Sequence, residues 1–276
     1  MQYELKDTIL YLDKVELGYG SGKNYKTVLK DVNIVEKDVV RDGHVTGQVI
    51  AVVGRSGRGK STLFKAMTGL VKPHSGEALI TELDSPEGDD AKNVEEGDVG
   101  FVDQKYTLFR HKTVEQIFRY ALRKSGLTKV EKTEKVNRYL GEWGLEKQRK
   151  QYPIELSGGQ RQRTAIIEQI LSSGHFMVLD EPFSGLDVGN IRDVKRSIEL
   201  IKKDHELNTI IFSTHELRLA VELADSIYVV GYPEGTTDYA TIVKHYDLKE
   251  MGIAWTEYGQ AHIDLVADID NTMMNS

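Results

Sequence analysis

Val49-Ile50-Ala51-Val52-Val53-Gly54-Arg55-Ser56-Gly57-Arg58-Gly59-Lys60-Ser61-Thr62 reads as a strand, a glycine-rich turn and the start of a helix. The apolar run Val49 to Val53 is continuous rather than alternating, the pattern of a strand buried on both faces. Leu63, Phe64, Met67 and Leu70 follow at helical spacing, so a helix with one apolar face is expected from Ser61 to Leu70. Gly54 to Ser61 fits the phosphate-loop pattern in full, in the strand-to-helix context that gives the pattern its meaning. Glycines let the backbone curl until successive N–H groups converge on an anion. The helix N-terminus, equivalent to about half an elementary charge, points at the same spot. In such a loop Lys60 reaches the outer phosphates and the Ser61 hydroxyl reaches Mg2+. Gly54, Arg55, Ser56, Gly57, Arg58, Gly59, Lys60, Ser61 and Thr62 are the candidate phosphate-binding residues.

Outward from this stretch, strands alternate with helices. Upstream, Ile9 to Leu12 and Val28 to Ile34 alternate as strands around a turn-like segment, Gly18 to Asn24. Downstream, Phe176 to Leu179, Thr209 to Phe212 and Ser226 to Val230 are further strand-like runs. A helix carrying Ile191, Val194, Ile198 and Ile201 lies between the first two. This alternation implies a mostly parallel sheet covered on both faces, an α/β fold. The charged helical stretch from Thr113 to Arg149, and a third helix beginning at Ser157, read as a subdomain inserted into that core. Residues 82–98 read as a solvated acidic loop and Asp38 to Gly47 as a surface insertion. Patterning after Gly231 is weak, with packing or capping as its expected role.

Composition narrows the class. The 276 residues are 39% hydrophobic and 29% charged, ordinary for a globular protein. There is no cysteine, which excludes disulfides, thiolate metal sites and cysteine nucleophiles. A net charge of −7 argues against a nucleic-acid face. No apolar run approaches the ~20 residues that span a bilayer, and the N-terminus lacks the features of a secretory signal. A cytoplasmic location is expected, with any membrane role exercised through a partner.

Two further stretches carry chemistry. Phe176-Met177-Val178-Leu179-Asp180-Glu181 is an apolar strand ending in two acids, and the C-terminal end of a parallel strand borders the ligand crevice. Asp180 there can hold a Mg2+ shell and Glu181 can polarise an attacking water. In Leu156-Ser157-Gly158-Gly159-Gln160, Ser157 and Gln160 have the spacing of a capping box. The box does not explain two consecutive glycines, each costing a helix roughly 1 kcal/mol. A hydroxyl, bare N–H groups and a helix N-terminus make a second phosphate site, and two copies facing each other would bring both sites to one ligand.

These motifs, in this order over residues 8 to 231, resemble the ATP-binding-cassette ATPases. Gly54 to Ser61 resembles that family's Walker A loop, Phe176 to Glu181 its Walker B strand, and Leu156 to Gln160 its signature. Gln104 stands at the Q-loop position, Ser184-Gly185-Leu186-Asp187 resembles the D-loop, and His215 matches the switch histidine. Tyr19 fits the aromatic that stacks on adenine, with Tyr25 close enough to compete. The resemblance implies a P-loop NTPase core with a mostly parallel sheet, an N-terminal antiparallel β region and an inserted α-helical subdomain. The expected division is a nucleotide-binding domain over 1–231, with its helical subdomain at about 105–173, and a C-terminal extension over 232–276. It further implies ATP and Mg2+ as cofactors, Glu181, His215 and Gln104 as catalytic residues, and Ser61, Gln104 and Asp180 at the metal. Ser157, Gly158, Gly159, Gln160 and Asp187 would contact the nucleotide of a second ATPase subunit, the same chain or a homologue. Separate transmembrane permease subunits are the expected partners, which puts the chain on the cytoplasmic face of a membrane. The alternative is a soluble cassette ATPase acting on nucleic acid or ribosomes. Departures from the family pattern are Arg55 and Arg58 in the loop, which either strengthen nucleotide binding or lie solvated at its rim. Ala165 to Leu171 and Arg110 also depart, at positions that bear on partners.

Overall fold

The computed structural model describes residues 3–41, 47–81, 91–173, 175–184, 188–205 and 207–276. Two long strands open the chain, β1 (Tyr3–Tyr19) and β2 (Lys26–Arg41). Then come β3 (Gln48–Val53), α1 (Lys60–Met67), β4 (Ser75–Thr81), β5 (Ala91–Asn93) and β6 (Val99–Val102). A helical stretch follows, α2 (Val114–Ala121), α3 (Lys129–Glu142) and α4 (Gly158–Ser172). The alternating pattern then resumes with β7 (Phe176–Leu179), α5 (Val188–Asp204), β8 (Thr209–Thr214), α6 (Leu217–Leu223) and β9 (Ser226–Gly231). β10 (Thr241–Asp247) and α7 (Gln260–Met274) complete it.

Two sheets result. One is antiparallel, ordered β2-β1-β4-β5; the other is ordered β10-β9-β3-β8-β7-β6. In the second, the five strands from β9 to β6 run parallel and β10 alone runs antiparallel at the edge. Every residue of β3, β7, β8 and β9 is buried, which is why their sequences are largely apolar, with the polar residues Gln48, Thr209, Ser213, Thr214 and Ser226 at or near the strand ends. Successive residues of β3 serve opposite cores. Val49, Ala51 and Val53 pack with α2, α4 and α5, while Ile50 and Val52 pack with Leu63, Phe64 and Met67 of α1 beneath the antiparallel sheet.

Each helix of the inserted stretch begins with a capping box, Thr113 with Gln116, Thr128 with Glu131 and Ser157 with Gln160. α1 is shorter than its apolar spacing suggests. The Thr68 hydroxyl turns back onto the Phe64 carbonyl at 2.8 Å, Gly69 takes a left-handed φ of 69°, and Leu70 is left exposed.

Three expectations are corrected. The surface insertion expected from Asp38 is, over Asp38 to Arg41, a continuation of β2, with Val39 and Arg41 buried. Residues 42–46 lie outside the described residues. Of the acidic loop, 82–90 also lies outside them, but Ala91–Asn93 forms β5 and pairs with β4. The segment after Gly231 belongs to the main sheet. β10 pairs with β9 from Thr241 opposite Gly231 to Asp247 opposite Ser226. Tyr246, Leu248, Ile253, Leu265 and Ile269 join the larger core, so the expected boundary at 231 runs between two bonded strands. β10 buries only Tyr246 and α7 only His262, Leu265 and Ile269, too thin a stripe to register as periodicity.

Burial pushes the Glu168 carboxyl of α4 up to about 7, with the Arg123 charge pulling the other way. Its folded pKa lies above the usual 4.5, so the unfolded chain releases this proton first. Stability therefore falls as pH rises between those two values and is level above them. Glu168→Gln should raise stability by on the order of 1–3 kcal/mol at pH 8 and by little near pH 4.5. Thermal melts across that range check this, and a gain independent of pH would contradict the assigned cause.

Candidate functional site

The loop from Gly54 to Gly59 leaves the end of β3 and enters α1, the first turn of which has no side-chain cap. Two of its glycines are required by packing. Gly54 has φ 155°, and a Cβ there would run into the Val230 carbonyl of β9. Gly59 has φ 92°, and a Cβ would press on Val28 and Leu29 at 3.0–3.1 Å. The loop is thereby held low over the sheet while Arg55, Ser56 and Gly57 remain exposed at its crest.

Above the loop opens a cavity of about 680 Å3. Ser56, Gly57, Gly59, Lys60, Ser61 and Thr62 form its floor. Gln104, Glu181, Ser184 and His215 form one wall, and Tyr19 with Val28 the other. Parallel strands explain the convergence, since β3, β6, β7 and β8 all end here. Lys60 is buried and donates to the Gly54 carbonyl at 2.7 Å, with Glu181 Oε1 3.6 Å from its Nζ. His215 Nδ1 is hydrogen-bonded to Glu181 Oε2 at 2.9 Å. Glu181 itself takes φ 50°, a left-handed conformation uncommon for a non-glycine residue. The Ser213 hydroxyl clamps both acids, accepting from Glu181 N at 2.8 Å and donating to Asp180 Oδ1 at 2.7 Å. Gln104 Nε2 donates to Ser184 Oγ at 3.1 Å.

Tyr19 borders the cavity, its hydroxyl 3.0 Å from Thr62 Oγ1. Tyr25 does not; its ring stacks on His74 with centroids 4.5 Å apart. Arg55 and Arg58 also face elsewhere. Their side chains line a second hollow on the far side of the loop, and the Arg58 guanidinium lies 3.6 Å over the Tyr232 ring. The Arg58 side chain is thus neither in the cavity nor free in solvent at its rim, while its backbone remains part of the loop. Ser157, Gly158, Gly159 and Gln160 do not line the cavity; they start α4 on an exposed surface. A Cβ at Gly158 would meet nothing within 4 Å, so among the described residues nothing requires a glycine there. Asp187 lies outside the described residues, as do Gly185 and Leu186.

Among the described residues no group of three or more His, Cys, Asp or Glu side chains is placed to hold a metal by itself. Mg2+ does not need one, because it keeps several waters and takes one or two protein oxygens alongside phosphate oxygens. Ser61 and Gln104 on the cavity, with Asp180 beside it, are oxygen donors of that kind. Ser213 is not marked as a site residue by the sequence, and Ser184, read there only as part of the D-loop-like stretch, is not marked as a partner of Gln104. Their importance depends on β7 lying next to β8 and on Gln104 facing the turn after β7, which strand order alone reveals.

A family model described as "ABC transporter" matches residues 44–184. The chain is 34% identical over 205 residues to the sulfate/thiosulfate import ATP-binding protein CysA of Synechocystis sp., covering 74% of this chain and 54% of that protein. It thus spans about half the length of that curated relative. Among solved structures, cbiO1 of Clostridium perfringens, part of the ABC transporter complex cbiONQ, superimposes with a TM-score of 0.69 at 26% identity, covering 90% of this chain and 92% of that one. The ATP-binding cassette MJ0796, dimeric and bound to ADP and Pi, shares the fold with a TM-score of 0.66 at 23% identity, covering 87% and 99%.

The two loop glycines with contrasting surroundings give a test. Gly54→Ala should cost on the order of 3 kcal/mol, from backbone collision with Val230 added to φ strain. Gly57→Ala, where a Cβ meets nothing, should cost only about 1 kcal/mol. Denaturant unfolding of both variants checks the difference, and equal losses would contradict it.

Proposed function

The chain belongs to the ABC transporter family, and from that membership and the cavity's geometry we propose that it binds and hydrolyses ATP to drive solute transport through separate transmembrane subunits. The observation that carries the reading is the meeting of Lys60, Glu181 and His215 above a loop of phosphate-binding pattern. Lys60 now rests on the Gly54 carbonyl and near Glu181, and an incoming phosphate supplies a stronger acceptor than either. Freed from Lys60, the Glu181 carboxylate orients the attacking water, with His215 hydrogen-bonded to it beside the γ-phosphate. Ser61, Gln104 and Asp180 would hold Mg2+, which when bound would supply charge neutralisation to the phosphates. Tyr19 stacks on the adenine.

The start of α4 supports hydrolysis by a pair of chains. Ser157, Gly158 and Gly159 present a hydroxyl and helix N–H groups outward, with no atom of their own chain over Gly158. In the proposed sandwich they complete the site of a second subunit, together with Asp187. The dimeric cassette MJ0796 supports this arrangement.

The membrane partner is proposed to dock beside the Q-loop. A groove of about 510 Å3 there is lined by Tyr106, Leu108, Arg110, Pro153, Ile154 and Arg161, and Ile154 is 90% exposed. No helix among the described residues is long and apolar enough to cross a membrane. Residues of about 105–173 act as the helical subdomain that this partner grips, at the cytoplasmic face, and the nucleotide-binding unit extends past 231 through the pairing of β10 with β9.

Glu181→Gln should slow phosphate release by roughly 10²-fold or more while MgATP still drives dimerisation. Steady-state turnover and size-exclusion chromatography with MgATP check this, and wild-type turnover in the variant would remove Glu181 from its role. Capture of the tagged chain from gently solubilised membranes should bring down a polytopic protein at comparable stoichiometry. Recovery with ribosomes or nucleoprotein and no membrane chain would replace the transport reading with a soluble one.

A further inference from the structure

The far side of the phosphate loop is occupied by the chain's own last segment. Tyr232 directly follows β9, and its ring packs partly into the core beneath the antiparallel sheet. The Arg58 guanidinium lies over that ring, its Cζ 3.6 Å from the centroid, and donates from Nη2 to the backbone oxygen of Ser276 at 3.4 Å. Ser276 reaches the loop because it packs directly against Gly231, where a Cβ would collide with its side chain. Arg58 is therefore held between the exit of β9 and the end of α7.

The position of Arg58 within the loop gives this contact its weight. It stands between Gly57 at φ 79° and Gly59 at φ 92°, two left-handed residues with the largest conformational freedom to lose on ordering. Arg55, Ser56 and Gly57 are exposed and offer little packing. The loop's other side-chain tie is Lys60 on the Gly54 carbonyl, and a nucleotide phosphate would draw Lys60 away from it. The Arg58–Tyr232 stack is the tie that does not compete with the ligand, because Arg58 points away from the cavity.

We propose that Arg58 and Tyr232 are positioning residues for the nucleotide site, the segment after β9 holding the phosphate loop in its binding curl through their stack. The inference rests on the reading of the cavity as an ATP site and extends it to a region that reading does not use. A pre-ordered loop lowers the entropy lost on binding, so the stack acts on affinity and not on the chemical step. Its strength is that of a partly desolvated cation–π contact, corresponding to about a three- to tenfold change in binding.

The test measures MgATP dissociation constants, KM, kcat and Tm for wild type, Tyr232→Ala, Tyr232→Phe, Arg58→Ala and the double alanine variant. Tyr232→Ala should raise the dissociation constant and KM by about three- to tenfold with kcat within about twofold of wild type. Tyr232→Phe, which keeps the ring face, should restore wild-type affinity, and the double variant should be no worse than the weaker single one. Unchanged affinity in Tyr232→Ala, or fully additive losses in the double variant, would overturn the proposal. So would a common fall of Tm, kcat and affinity that Tyr232→Phe shares, the mark of a merely structural role. A wild-type chain without affinity for MgATP would instead defeat the nucleotide reading, and this inference with it.

Discussion

The hydrogen bond from Lys60 to the Gly54 carbonyl, 2.7 Å long, joins the two ends of the phosphate loop across its own backbone. It is available only because the loop lies close over the sheet. Gly54 passes over the Val230 carbonyl without a Cβ, and Gly59 sits against Val28 and Leu29. Placement of β9 beside β3, and of β2 above them, is thus a precondition of the curl that the glycines permit. The bond holds a buried ammonium in place with Glu181 nearby, so Lys60 is paired before any ligand arrives. The site is poised by internal pairs that a phosphate can replace one for one.

The Pro182 carbonyl links this site to the helical stretch. It accepts from Gln162 of α4 at 2.9 Å and from the Tyr106 hydroxyl at 3.4 Å. Burial pushes the Tyr106 hydroxyl up to about 12, so it remains a donor at any physiological pH. Three segments far apart in sequence, the loop after β6, the first turns of α4 and the turn after β7, therefore share one acceptor next to Glu181. A displacement of α4 changes the surroundings of the acid, and a change at the acid is felt by α4. On the proposed reading, this shared acceptor is a contact through which the helical stretch and the acid can be coupled.

What the sequence made legible follows from burial. β3, β7, β8 and β9 are buried along their whole length and stood out as largely apolar runs, and α4 announced its start through the reciprocal capping pair Ser157 and Gln160, whereas the like pairs that open α2 and α3 went unread. The phosphate loop was readable because its chemistry is local. β10 and α7 were not, since an edge strand burying Tyr246 and a helix burying three residues leave no periodic signature. Arg58 was misread for the same kind of reason. Its neighbours in sequence suggest a solvated rim, and its true partner, Tyr232, is brought to it only by the pairing of β9 with β3. Ser213 needed strand order as well, because it acts on Asp180 and Glu181 from the adjacent strand.

The glycines at 54 and 158 have opposite surroundings, and natural variation would sample them differently. At Gly54 an added methyl strikes the chain's own backbone, so folding and ligand binding suffer together, and any screen for abundance detects the change. At Gly158 the same methyl projects into open space. A variant there would be produced, fold and melt like its parent, and would be scored as tolerated by every assay made on the isolated chain. Its cost would surface only when another molecule must come close, which makes quiet positions of this kind the ones where stability is the poorest guide to fitness.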